Sequence, residues 1–385
     1  MDHKQAAAAA YSSVEQQLEQ ISRWMYENPE LSWEEVASST RLAGFLERQG
    51  FVVEHPAYGL ETAFAARVGS SGPEVVICAE YDALPAVGHA CGHNLIAAAA
   101  LGAGVALRGL AEELGFRLTV LGTPAEETTG GKVELIGAGA FAGTAAALMV
   151  HPTPTDLVDP AELALRPFDV TFRGKESHAA MAPQLGINAL DAFVQAYMNI
   201  STLRQALLPS QLVHGIITHG GEAANIIPAL TRSSWYLRAD TAGQLAGLYD
   251  RVIACFQAAA LATGCTLEIE EAGHTFVDLV SNPLLVDLFA ANCLALGRPM
   301  PRRTDLPSSP GGSTDMGNVS HLVPAIQPHL GINSGTAVNH QPEFAAHTIT
   351  ADGLKMIRDG ALAMAWTVID LAVGHRWDEL RLGSR

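Results

Sequence analysis

The chain has 385 residues, 48% of them hydrophobic and only 16% charged, so it can bury a large core but is too long for one ordinary domain, and two domains are expected. Its net charge of -17 and pI near 5.2 repel phosphate backbones and anionic lipid surfaces. Nucleic acid and membrane are therefore set aside as partners.

Along the chain there is no unbroken apolar run of the length, roughly 18 residues, that a membrane span needs. The alanine-rich start, Met1 to Tyr11, lacks the hydrophobic segment and cleavage site of a secretory signal, so a soluble, cytoplasmic protein is the expectation. Cys78, Cys91, Cys255, Cys265 and Cys293 form an odd, sparse set and are read as reduced thiols. From Ala6 to Gly50 the apolar positions recur at helical spacing, interrupted at Asn28-Pro29 and resuming from Glu34. That pattern predicts two helices, with Ser32 as N-cap of the second. Glu74 to Ala79, Arg117 to Gly122 and Ala145 to Val150 read as short buried strands, and Ala97 to Gly115 as an alanine-rich buried helix. Strand, helix, strand implies a parallel sheet.

The character changes near Leu165. Leu165 to Phe172, Leu212 to His219, Arg232 to Ala239 and Thr266 to Glu271 read as strands, and Asn188 to Leu207 and Ala242 to Thr263 as helices. The order β, α, β, β, α, β is that of a ferredoxin-like α+β domain. After Gly273 an α/β pattern returns, with a helix from Pro283 to Leu296, a glycine-rich loop at Pro310 to Ser313 and a last helix from Ala351 to Leu371. The expected fold class is thus α/β, a mixed and mostly parallel sheet with helices on both faces in residues 1–164 and 274–385, interrupted by an inserted domain at 165–273.

Chemistry-bearing residues cluster where the predicted strands end, which is where open α/β sheets place their sites. Asp82-Ala83-Leu84-Pro85 and His89-Ala90-Cys91-Gly92-His93 follow the first strand. With a glycine between them, Cys91 and His93 can turn their side chains toward one point, a plausible metal-ligand pair. Glu126-Glu127 follows the second strand, and adjacent carboxylates can divide the work of metal binding and proton transfer. His151 ends the third strand in the same way. Each alone has a bland alternative, a buried thiol or a solvated carboxylate; delivery of three sets to one sheet edge favours a site.

These motifs, with Asn28-Pro29-Glu30-Leu31-Ser32, Ser177-His178-Ala179-Ala180, Gly220-Gly221, Asn225-Ile226-Ile227-Pro228 and His340, resemble the aminoacylase and glutamate carboxypeptidase family of two-metal peptidases and amidohydrolases. The similarity is to the branch holding hippurate hydrolase, auxin-conjugate (IAA-amino acid) hydrolases and a p-aminobenzoyl-glutamate hydrolase subunit, and it covers nearly the whole chain. The resemblance implies two divalent metal ions in each protomer, zinc or manganese, bridged by Cys91 and completed by His93, Glu127, His151 and His340. It implies Glu126 as general base and acid, Asp82 as a residue supporting the ligands, and His178 as a donor to the oxyanion, often from the partner protomer of a homodimer formed through the inserted lid domain. Asn225 and Arg238 look like residues that hold a substrate carboxylate, although Arg238 has an ion pair with Asp240 as its alternative. Gly312 and Ser313 belong to a stretch, Gly311 to Gly317, that looks like the family's glycine-rich loop beside the site.

The function so implied is metal-dependent hydrolysis of the amide of an N-acyl-amino acid or aminobenzoyl-glutamate-like substrate, preferred over a dipeptidase acting on free-amine dipeptides. A non-catalytic binding protein of the same fold would be expected to lack a ligand or the base, and here all are present. A dinucleotide fingerprint at Gly137, Gly139 and Gly143 fails because these glycines do not open a helix after a strand.

Overall fold

A computed structural model describes residues 2–306 and 311–380. They form two compact units, one of residues 2–161, 279–306 and 314–380, the other of residues 162–278 with 311–313. In chain order the strands are β1 (Val52–Glu54), β2 (Phe64–Val68), β3 (Glu74–Ala79), β4 (Arg117–Gly122), β5 (Thr144–Leu148), β6 (His151–Thr153), β7 (Ala164–Arg173), β8 (Leu212–His219), β9 (Leu230–Ala239), β10 (Thr266–Glu271), β11 (Ala325–Ile326) and β12 (His329–Gly331). The helices that matter below are α1 (His3–Ser12), α2 (Glu15–Glu27), α3 (Val36–Arg48) and α4 (His93–Arg108), then α5 (Ala189–Leu203), α6 (Ala242–Thr263) and α7 (Ala351–Val373).

The first unit is built on a six-stranded sheet in the order β1-β2-β4-β3-β5-β11. Strands β4, β3, β5 and β11 are parallel, and β1 and β2 extend the edge antiparallel. Beyond Glu74 every residue of β3 is buried, which is why that strand is a continuous apolar run rather than an alternating one. All of α4 except Arg108 is buried. Its small residues permit close approach: a Cβ on Gly102 would lie 2.9 Å from Tyr11 and 3.0 Å from Ala361, and one on Gly104 2.6 Å from Val120. A short parallel pair, β6 with β12, sets His151 beside His329. The carboxyl ends of β3 and β4 and the start of β6 release the loops that carry the candidate site, as expected for parallel strands.

The N-terminal region departs from the expectation. There are three helices, not two, because the chain breaks at Ser13–Val14 between α1 and α2. Ser32 does not cap α3. The Glu30 carboxylate accepts from the backbone of Ala37 (2.9 Å) and Ser38 (2.6 Å) instead, and the Ser32 hydroxyl donates to Asp82 at 2.8 Å. A buried carboxylate is the better acceptor for that hydroxyl than an exposed helix end. The helix expected over 97–115 starts at His93 and stops at Arg108. β2, Phe-Ala-Ala-Arg-Val, carries too little β-branched signal to read as a strand.

In the second unit the elements run β7, α5, β8, β9, α6, β10, and the sheet order is β10-β7-β9-β8, all antiparallel, the ferredoxin-like arrangement. Its core is aromatic. Trp235 stacks edge-on to Phe256 at 5.2 Å and donates its indole N–H to Ser233 at 2.9 Å. Gly215, opposite Trp235 across β8 and β9, has no room for a side chain, since a Cβ there would lie 2.3 Å from the indole. By length and composition α6 could cross a membrane, but Leu245, Leu248, Val252, Phe256 and Ala259 bury its apolar face in this core. Of the expected loop 310–313, Pro310 lies outside the described residues.

Candidate metal centre

The site begins where β3 ends. Glu80, Tyr81 and Asp82 continue the strand's path and are buried. Ten residues later Gly92 turns the chain into α4 with φ +81°, and a Cβ there would strike Pro152 at 2.4 Å, so both backbone freedom and close approach require glycine. His93, the first residue of α4, donates Nδ1–H to Asp82 Oδ1 at 3.0 Å. The other carboxylate oxygen, Oδ2, accepts from Ser32 (2.8 Å) and from the backbone N–H of Glu127 (3.0 Å). Burial would raise the Asp82 carboxyl, but His93 and these hydrogen bonds outweigh it and bring it down to about 2. Asp82 is therefore an anion that fastens three segments together.

At the end of β4 the chain turns through Ala125 at φ +56°, a left-handed conformation costly for a residue with a Cβ. The turn is held by Glu35, whose Oε1 accepts the Ala125 N–H (2.9 Å) and whose Oε2 accepts from Thr62 (3.0 Å). Burial and the neighbouring Asp82 push Glu35 up to about 7. Glu126 and Glu127 follow this turn. His151 donates Nδ1–H to the Pro152 carbonyl (2.9 Å), which leaves its Nε2 lone pair 3.5 Å from Cys91 Sγ. Burial keeps that imidazole neutral, well below its usual range. His340, also left-handed at φ +72°, is anchored by its N–H on the Ala90 carbonyl (2.9 Å) and sets Nε2 3.5 Å from Glu127 Oε2.

Among the described residues three groups of donor atoms result, Cys91 with His93 and His151, Cys91 with Glu127 and His340, and Glu80 with His93 and Glu126, each with all its atoms within 4.8 Å of one another. Cys91 is common to the first two. The set fits divalent ions: His93 Nε2 and Glu127 Oε1 are buried without a hydrogen-bond partner, 3.7 Å apart. Such orphans are costly unless something charged sits among them. Burial and Glu127 hold the Cys91 thiol well above its usual range, so a cation is what would make it a thiolate. Glu126 is buried, with Oε2 4.0 Å from His93 Nε2, and burial, then Glu80 and Glu127, raise its carboxyl far above the ordinary range.

The other sequence-predicted residues lie in the second unit. His178 Nδ1 accepts from the backbone of Ala180 and Met181, both at 3.2 Å, so the ring proton sits on Nε2. Ala179 donates to the Asn225 carbonyl (3.1 Å), which ties these two motifs together. Arg238 donates to Ser313 Oγ at 2.7 Å, while Asp240 accepts from Ser210. Gly312 accepts the Leu163 N–H (2.8 Å), and a Cβ on it would lie 3.1 Å from Glu162.

Sequence reading missed Glu35, Glu80, Lys132 and Asp315. Lys132 and Asp315 are 183 positions apart, beyond any local pattern. Glu80 and Asp315 stood inside or beside stretches already singled out but were given no role, and nothing in Gly130-Gly131-Lys132-Val133-Glu134 marks the lysine.

Residues 76–361 match the family model of peptidase family M20/M25/M40. The chain is 40% identical to Xaa-Arg dipeptidase of Mus musculus across 96% of its own length and 88% of that protein's. It is 31% identical to a p-aminobenzoyl-glutamate hydrolase subunit of Escherichia coli (strain K12) across 67% of this chain and 58% of that one. The fold is similar to that of the Bacillus subtilis YXEP protein, a dinuclear metal binding peptidase, with a TM-score of 0.71 at 21% identity over 93% of this chain and 99% of that one.

Gly92→Ala is expected to lower stability by about 1–2 kcal/mol from the left-handed backbone alone. Displacement of Pro152 and His93 should also reduce bound metal, read by denaturant unfolding and by metal analysis of the purified protein. Unchanged metal content would show that the Gly92 turn does not set the site.

Proposed function

We propose that this chain, which belongs to peptidase family M20/M25/M40 and is a hydrolase of amide or peptide bonds, is a two-metal dipeptidase acting on dipeptides with a basic C-terminal residue. The observation that carries this reading is the 40% identity to an Xaa-Arg dipeptidase along 96% of the chain, joined to a centre with every expected donor in reach. It reverses the ranking drawn from sequence, in which N-acyl-amino acids came first; aminobenzoyl-glutamate hydrolase matches less of the chain and less closely. The net charge of -17 also favours a cationic substrate by long-range attraction.

Cys91, His93 and His151 would hold one ion and Cys91, Glu127 and His340 the other; mixed sulfur, nitrogen and oxygen donors suit zinc or manganese. When bound, such ions lower the pKa of a water toward neutrality and polarise the scissile carbonyl. Glu126 takes the proton from that water as its oxygen attacks the carbonyl carbon, and returns it to the nitrogen as the C–N bond breaks. Asp82 keeps the His93 Nδ1 proton in place, which leaves the Nε2 lone pair free to hold an ion. His178, carrying its ring proton on Nε2, donates to the oxyanion of the tetrahedral intermediate. Arg238 and Asn225, with Gly312 and Ser313, hold the substrate carboxylate, for which a guanidinium is the matching fork.

A homodimer through the second unit is part of the reading. β8 is a sheet edge that exposes Ile216 (65%) and Ile217 (45%), an arrangement natural proteins cover. A reducing, cytoplasmic setting is in keeping with five unpaired cysteines.

The test is amine release, followed by mass spectrometry, from basic dipeptides, other dipeptides, N-acyl-amino acids and aminobenzoyl-glutamate, using chelator-stripped enzyme reloaded with zinc or manganese. Metal-dependent cleavage with kcat/KM highest for basic dipeptides is expected; cleavage confined to blocked substrates would overturn the dipeptidase in favour of the amidase. Glu126→Gln should bind metal as before while kcat falls by roughly 10²–10⁴, and near-normal turnover would remove Glu126 from its role. Ile216→Asp should shift sedimentation from dimer toward monomer.

A further inference from the structure

We propose that Glu80 is an additional metal ligand, offering Oε2 to the ion held by His93, and that Lys132 and Asp315 aim it there; this rests on the two-metal reading above. Glu80, Lys132 and Asp315 are all fully buried. Lys132 Nζ donates to Glu80 Oε1 at 2.5 Å and to Asp315 Oδ1 at 2.7 Å, and the Lys132 backbone N–H donates to Asp315 Oδ2 at 2.8 Å. Asp315 thus grips both ends of Lys132, and the ammonium consumes one oxygen of Glu80.

The other oxygen has nothing. Glu80 Oε2 is buried without a hydrogen-bond partner, as is His93 Nε2, and the two lie 3.3 Å apart. Donor atoms of Glu80, His93 and Glu126 fall within 4.8 Å of one another. Two kinds of occupant relieve these orphans, a proton shared between Glu80 Oε2 and His93 Nε2 or a cation between them. Once His93 Nε2 coordinates an ion it carries no proton, and a bare carboxylate oxygen facing it is then strongly unfavourable unless it too reaches that ion. A structural ion pair would explain Lys132 with Asp315 alone. It gives no reason for a second carboxylate with one oxygen turned into the centre. Lys132 restricts Glu80 to ligation through a single oxygen, and the added negative ligand tightens that ion while leaving the other ion's donor set unchanged.

Glu80→Gln separates the possibilities, because its amide oxygen still accepts from Lys132 while an NH₂ group replaces the free oxygen and repels a cation. Mn²⁺ is titrated calorimetrically into stripped wild type, Glu80→Gln and Cys91→Ala, and the loaded proteins are compared by electron paramagnetic resonance. Wild type is expected to take two ions per chain with a coupled-pair spectrum. In Glu80→Gln the affinity of one site should fall by more than the roughly 10–100-fold that losing an outer hydrogen-bonding partner costs, and an uncoupled single-ion spectrum should appear at limiting Mn²⁺; a fall within that range would make Glu80 a supporting residue and overturn its ligation. Two ions bound at wild-type affinity in Glu80→Gln, with loss in Cys91→Ala, would overturn the role of Glu80 and leave the two-metal centre standing. Wild-type binding by both variants would overturn the centre itself. Should Glu80→Gln fail to fold by thermal melting, Glu80→Asp, which keeps the charge but withdraws the oxygen, is titrated in its place with the same weakening expected.

Discussion

The imidazole of His93 is the point on which the site depends. One nitrogen is spoken for by Asp82, and the other faces Glu80, Glu126 and Glu127 at 3.3 to 4.0 Å. Because Asp82 also grips Ser32 and the Glu127 backbone, one hydrogen-bonded carboxylate fixes the start of α4, the loop after β4 and the loop before α3. A shift in any of these would move a donor atom. The rigid parallel sheet beneath supplies the common reference, since β3 and β4 are held in register along their whole length.

So many buried acids in so small a volume favour their protonated forms, and burial raises Glu35, Glu80 and Glu126 alike. Lys132 is the buried ammonium that opposes them directly, and its own burial is offset by Asp315 and Glu80. What Lys132 leaves uncompensated, divalent ions would complete. Binding and folding would then be coupled, since the ions would satisfy groups that the fold has already taken out of water. The centre also stores backbone strain, in Ala125 and His340, both left-handed without being glycine. Ala125 is pinned by its N–H on Glu35 and by its carbonyl, which accepts from Gly130 and Gly131, and His340 by its N–H on Ala90, so the surroundings dictate both conformations.

The second unit solves a different problem. Its aromatic core is packing rather than chemistry, with Ser233 serving the indole of Trp235 inside it, and His178 and Arg238 sit outside that core, on a turn and on the other face of β9. There the hydrogen bonds select states instead of burying charge: two backbone N–H groups choose the tautomer of His178, and Ser313 orients a guanidinium.

Much of this was determined by local sequence. The buried runs of β3 and β4, the full span of α6 and the ferredoxin-like order follow from periodicity, because strand and helix periods are properties of neighbours in the chain. Cys91, His93, Glu127 and His151 stood out because their residue types are chemically distinctive and lie at the ends of predicted strands, whereas His340 was reached only through the family resemblance. Tertiary structure alone decided that Ser32 serves Asp82 and not a helix end, that Glu35 holds the Ala125 turn, and that Glu80, Lys132 and Asp315 form one buried charge system. Those pairings join residues 50 to 183 positions apart, and a charged side chain reads as solvated until packing removes the water around it. Sequence names the groups able to do chemistry; desolvation, which only the fold imposes, decides which of them must find each other.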